Sequence, residues 1–137
     1  MNHWQNLSSE QRIEAWKHFR KTMSGDNYIT EVGEFFKYLP TSGRSLDYYD
    51  SESWLGPWEI LHTGIFCESA RALLMFYTLI FFDDHVKMHL INDSGDLYLI
   101  VEVSDLILNY RNSTVKKSDV ELTIIQSYDK ESIKNIF

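Results

Sequence analysis

"WLGPWEILHTGIFCESARALLMFYTL", residues 54–79, decides how the rest of the chain is read. It opens on a Pro-containing turn and breaks at Thr63 and Gly64. It then reaches the only cysteine of the chain, Cys67, and runs apolar from there. Pro57 suits the first position of a short helix, where its fixed φ and missing N–H cost nothing. From Cys67 a longer helix is expected to about Phe81 or Phe82. Ala70, Leu73, Leu74, Tyr77 and Phe81 make one of its faces; Ala72, Met75, Phe76 and Leu79 make much of the other. A helix apolar nearly all round is a buried central helix. Its clearly polar residues, Glu68, Ser69 and Arg71, all lie in the first turn. That end, with Cys67, is therefore expected at the surface.

Upstream, two amphipathic helices are expected. In "LSSEQRIEAWKHFRKTM", Ser8 and Gln11 have the spacing of a capping box. Ile13, Trp16, Phe19 and Met23 form a stripe behind it. In "TEVGEFFKYLP", Val32, Phe35, Phe36 and Leu39 fall at i, i+3, i+4 and i+7, and Pro40 ends the pattern. "TSGRSLDYYDSES" reads as loop.

Downstream the hydrophobic period changes to two. "HVKMHLI" places Val86, Met88 and Leu90 on one face and His85, Lys87 and His89 on the other, which alternation assigns to solvent. "NDSGD" is a turn, "LYLIVEV" a strand with Leu97, Leu99, Val101 and Val103 inward, and "LILNY" a third strand. "DVELTIIQSY" is a candidate fourth. Short turns make this an antiparallel meander. Helices first and strands after them give an α+β fold, with N-terminal helices and a buried central helix packed on an antiparallel sheet of three to four strands.

A chain of 137 residues, 44% hydrophobic and 15% aromatic, fits one domain with a real core. The expected division is 1–53 as a helical N-terminal part, 54–128 as the core and 129–137 as a tail. The net charge of −7 argues against a nucleic-acid partner, which needs clustered Lys and Arg. The longest apolar run, Ala72 to Phe82, falls well short of the ~20 residues that span a bilayer, so no membrane partner is expected. One cysteine excludes an internal disulfide. The stretch "MNHWQNLSSEQRIEAW" has no basic segment followed by an apolar one, and the expected compartment is the cytoplasm. Asp83, Asp84 and His85 are a weak cluster of metal-ligand types, and no metal or other cofactor is expected.

Cys67 can be read in two ways. A thiol at a helix N-terminus feels the positive end of the dipole and nearby N–H groups, which favour thiolate, the nucleophilic form. A free Cys is also a small hydrophobe that is commonly buried. A nucleophile needs a base and an orienting group beside it.

The pattern W-x-x-P-W-E-I-L-x-x-G-x-x-C-E-x-A resembles the bacterial transglutaminase-like cysteine proteinases, within the wider transglutaminase-like superfamily. The matching residues are Trp54, Pro57, Glu59, Leu61, Gly64, Cys67, Glu68 and Ala70, and the likeness extends over residues 54–110. It implies a transglutaminase/papain-like core with Cys67 as candidate nucleophile. In the family, the strand matching "YLIVEV" carries the catalytic His and the strand matching "LILNY" the catalytic Asp. Here those positions read Tyr98 and Asn109. A phenol of pKa ~10 is no substitute for imidazole near neutral pH. The resemblance thus implies a pseudoenzyme of bacterial or phage type, acting as a binding or accessory protein with a protein partner.

Two alternatives stay open. One is an active thiol enzyme, for amide hydrolysis or acyl transfer, with His62 or His89 as a displaced base. The other is a structural or assembly protein of unrelated α+β fold. The aromatic residues Tyr48, Tyr49, Trp54, Trp58 and Phe66 around the loop before Cys67 are the candidate binding surface. They can equally be a lid of core residues over the central helix.

Overall fold

The computed structural model describes residues 7–23, 27–39, 54–63 and 67–133. Ser8 caps α1 (Ser9–Thr22) as its spacing with Gln11 requires. The Ser8 hydroxyl accepts from the Gln11 N–H at 3.2 Å, and the Gln11 side chain accepts from the Ser8 N–H at 2.9 Å. Glu10 in the first turn, with Arg20 and Lys21 in the last, complements the helix dipole. α2 (Tyr28–Lys37) stops short of Pro40, with Tyr38 as its cap. The two helices meet through Phe19 and Phe35, whose rings stack at 3.9 Å between centroids. α3 (Pro57–Thr63) starts on the proline, as expected.

α4 (Glu68–Leu79) is the central helix, and every residue from Ser69 to Leu79 is buried. Trp16 of α1 ties to it by donating its indole N–H to the Thr78 hydroxyl at 2.8 Å. Below α4 lies one antiparallel sheet: β1 (Lys87–Asp93), β2 (Asp96–Val103), β3 (Leu106–Tyr110), β4 (Ser113–Lys116) and β5 (Ile124–Tyr128). Their spatial order is β4-β3-β2-β1-β5. β1 to β3 form the expected meander, and β4 continues it. The β1–β2 turn needs positive φ at both Ser94 and Gly95, and the Asn92 side chain accepts from the Gly95 N–H at 2.7 Å. α2 rests close against β4, and a Cβ at Gly33 would meet the Thr114 hydroxyl at 2.5 Å.

The sheet differs from the expectation in two ways. It has five strands, because the short polar segment Ser113–Lys116 pairs with β3. And the last strand starts at Ile124, not at Asp119, and pairs with β1 on the far edge instead of extending the meander. To get there, the chain turns through Lys117–Asp119, a 3-10 turn, and crosses the outer face of the sheet. That crossing gives the outer face a core of its own. Ile91, Tyr98, Ile100 and Ile107 are buried there, with Val120 and Leu122 of the crossover packed on them. Met88, Leu90, Leu99, Val101 and Val103 face α4 in the main core, as the alternation requires. Ile133, in the expected tail, is buried in that same core.

Candidate functional site

Cys67 is the N-cap of α4. Its backbone is extended, and its sulfur accepts from the Ala70 N–H at 3.3 Å. The thiol thus occupies the position a Ser or Asp side chain takes at most helix starts. The first turn is not at the surface as expected: Cys67 is only 8% exposed, Arg71 6% and Ser69 not at all, so of the polar residues only Glu68 reaches solvent.

The sheet encloses this turn, and its polar groups are satisfied there. The Ser69 hydroxyl accepts from the Leu99 N–H of β2 at 3.2 Å. Asn109 of β3 donates its amide to the carbonyls of Glu68 and Leu99, both at 2.9 Å, and accepts from Nε of Arg71 at 3.3 Å. Asn109 reaches all three because it breaks the strand. Its φ is +68°, a left-handed conformation that Asn tolerates better than most residues, and the β3–β4 register shifts there. Burial lowers the Arg71 pKa from its ordinary value, opposed by the charges of Glu68 and Cys67.

Tyr98 stands elsewhere. It lies in the outer cluster, on the sheet face opposite α4. Its hydroxyl donates to Asp93 at 2.8 Å and accepts from the Arg111 N–H at 3.2 Å. Burial, then the Asp93 carboxylate, pushes its pKa well up. Strand geometry sends neighbouring side chains to opposite faces, so β2 shows α4 the side chains of Leu97 and Leu99, which carry no proton to exchange.

Neither expected histidine serves Cys67. His62 is exposed at the end of α3, and what is fixed there is its carbonyl, which accepts from Ser9 and Arg12. His89 is not on a solvated face; it is 4% exposed, because β5 flanks it on one side and β2 on the other. Its Nδ1 lies 2.7 Å from the Ser127 hydroxyl and its Nε2 2.8 Å from Glu102, which also binds Lys117 at 2.9 Å. His85 is exposed, as expected. Among the described residues no imidazole is bonded to the Cys67 sulfur.

Of the candidate binding aromatics, Trp54 is 1% exposed and sets its ring edge-on to Tyr128 at 4.9 Å. It is core. Trp58 is 38% exposed, edge-on to Trp16 at 5.1 Å, with Lys17 over its ring at 5.5 Å. Tyr48, Tyr49 and Phe66 lie outside the described residues.

Sequence reasoning missed the Ser127–His89–Glu102 chain. A signal for half of it was present: the two-residue Ser94–Gly95 turn sets Ile100 opposite His89, so Glu102 is its diagonal neighbour on the same face.

No family model matches the sequence, and no curated protein matches it. Solved structures do. LapG of Legionella pneumophila superposes with a TM-score of 0.72 at 18% identity, over 93% of this chain and 80% of that one. The calcium-bound form of LapG gives 0.73 at 17%, over 93% and 81%. The α+β fold described above is therefore similar to LapG, whose fold is papain-like and transglutaminase-like.

Proposed function

We propose that this chain is a transglutaminase-like protein that has given up thiol catalysis and works by binding, with a protein as its partner. The observation that carries this reading is the state of Cys67. Its sulfur is enclosed and occupied as a helix cap, and among the described residues no imidazole is bonded to it. Asn109, in the family's acid position, is committed to holding β3 against α4, and among the described residues it bonds to no imidazole. Tyr98, in the family's histidine position, is bonded on the other face of the sheet. The likeness of fold to LapG supports the scaffold and leaves the chemistry to these residues.

The test is alkylation of the sole thiol by iodoacetamide across pH, native and in urea. The expected result is strong protection in the native protein and an ordinary thiol titration, near pKa ~8.5, once the chain unfolds. Rapid native reaction with a midpoint well below that value overturns the proposal and favours an active thiol enzyme.

A further inference from the structure

The chain Ser127–His89–Glu102–Lys117 crosses three strands on the face of the sheet turned away from Cys67. Its geometry selects the tautomer of the neutral ring. Both ring nitrogens of His89 are bonded, and the partner of Nε2 is a carboxylate. Burial raises the Glu102 pKa, but hydrogen bonds from Lys117 and His89 outweigh this and hold its carboxyl below the ordinary range. An ionised carboxylate only accepts, so Nε2 carries a proton, and in the neutral ring Nδ1 is the acceptor, 2.7 Å from the Ser127 hydroxyl. The imidazole is 4% exposed, while Ser127 itself is exposed. A serine open to solvent, a buried base behind it and a carboxylate behind the base have the roles of a nucleophile, a general base and an orienter.

We propose that Ser127 is an activated nucleophile that takes an acyl group from small activated esters, with His89 as its base and Glu102 as a positioning residue. Ser127 Oγ attacks the ester carbonyl carbon as its proton passes to Nδ1 of His89. The carbon–oxygen bond to the leaving group breaks, and that group departs with the electron pair and takes the proton from Nδ1. Water then attacks the acyl carbon as one of its protons passes to Nδ1; the bond from that carbon to Ser127 Oγ breaks, and Oγ takes the proton back from Nδ1 as the acid leaves. The acyl group is expected to be apolar, because the same strand exposes two large hydrophobics, Ile124 and Ile125.

The experiment uses the full chain carrying Cys67→Ser, so that the thiol cannot be acylated, with p-nitrophenyl butyrate as the probe. Release of p-nitrophenol is followed, and the adduct is located by peptide mass spectrometry. The expected adduct is on Ser127, absent in a further Ser127→Ala variant, whose exposed position leaves the fold intact. Glu102→Gln is expected to slow acylation about tenfold. It should lower kcat and leave KM unchanged, and Glu102→Asp should restore part of the rate, as expected of a residue that positions the base. The groups facing His89 are Ser127, Glu102 and, through Glu102, Lys117. No adduct at Ser127, an equal rate in Ser127→Ala, or an unchanged kcat in Glu102→Gln overturns the assignment. None of these outcomes bears on Cys67, which the experiment removes.

Discussion

The amide of Asn109 donates to the carbonyl of Glu68 at 2.9 Å, so a residue of β3 closes the first turn of α4. This bond, with those to Leu99 and Arg71, joins two strands and the central helix at one side chain. Asn109→Ala takes the side-chain partner from the buried Leu99 carbonyl and from a buried guanidinium N–H, removes a second bond from the Glu68 carbonyl, and puts Ala at φ +68°. The expected loss is about 3 kcal/mol by urea denaturation, from unsatisfied buried groups and backbone strain together. A loss under about 1 kcal/mol is too small for an unsatisfied buried cluster and would mean that water replaces the amide.

Cys67 acts on stability through its cap. Cys67→Ser keeps an acceptor for the Ala70 N–H and is expected to leave stability within about 0.5 kcal/mol, whereas Cys67→Ala loses the acceptor and costs about 1 kcal/mol. The two variants are compared by the same urea titration. Equal stability of both would show that the sulfur contributes packing alone.

Trp16 and Thr78 couple α1 to α4 through one buried hydrogen bond. Thr78→Val keeps the shape and strips the partner from the indole N–H. The expected cost is about 1–3 kcal/mol, the usual range for an orphaned buried donor. The Trp fluorescence maximum, read alongside the denaturation curve, separates this from a loss of packing: a red shift in the native state would mean that water has entered.

Acid sensitivity has a named source. Hydrogen bonds from Arg111 and then from the Tyr98 hydroxyl hold the Asp93 carboxyl down to about 2, from an ordinary 3.8. A carboxyl depressed by folding stabilises the native state above its unfolded value, and this contribution is lost as pH falls through the folded one. The stability gap between the wild type and Asp93→Asn is therefore expected to be full above about pH 5 and to shrink from about pH 4 to pH 2. A gap that stays constant through that window would remove Asp93 from the account.

What was legible in the sequence was local. The Ser8–Gln11 box, Pro57 at a helix start, the all-round apolar run of α4 and the "NDSGD" turn each carry their own chemistry within a few residues, and each stands where it was read. What was not legible depended on distant chain. The polar first turn of α4 looks like a surface, and it is enclosed because Leu99 and Asn109 bring complementary groups to it. His89 looks solvated by its alternation, and it is buried because the return of β5 places Ser127 beside it. The sequence resemblance sets Tyr98 at a histidine position, but its side chain lies one residue out of phase with the face that α4 covers. In a strand that single step moves a side chain to the other side.

The return of β5 also gives the molecule an order of assembly. As the chain leaves the ribosome, β1 pairs with β2, β2 with β3 and β3 with β4, each across a short local turn. The other edge of β1 waits for residues 124–128, and during that wait it is an open template of unpaired N–H and C=O groups. Both the crossover that covers the outer face and the strand that closes the edge arrive together, after the other four strands have emerged. The nascent protein is thus most prone to intermolecular pairing just before β5 emerges, and substitutions in 117–128 are expected to reduce soluble yield more than they reduce the stability of what does fold.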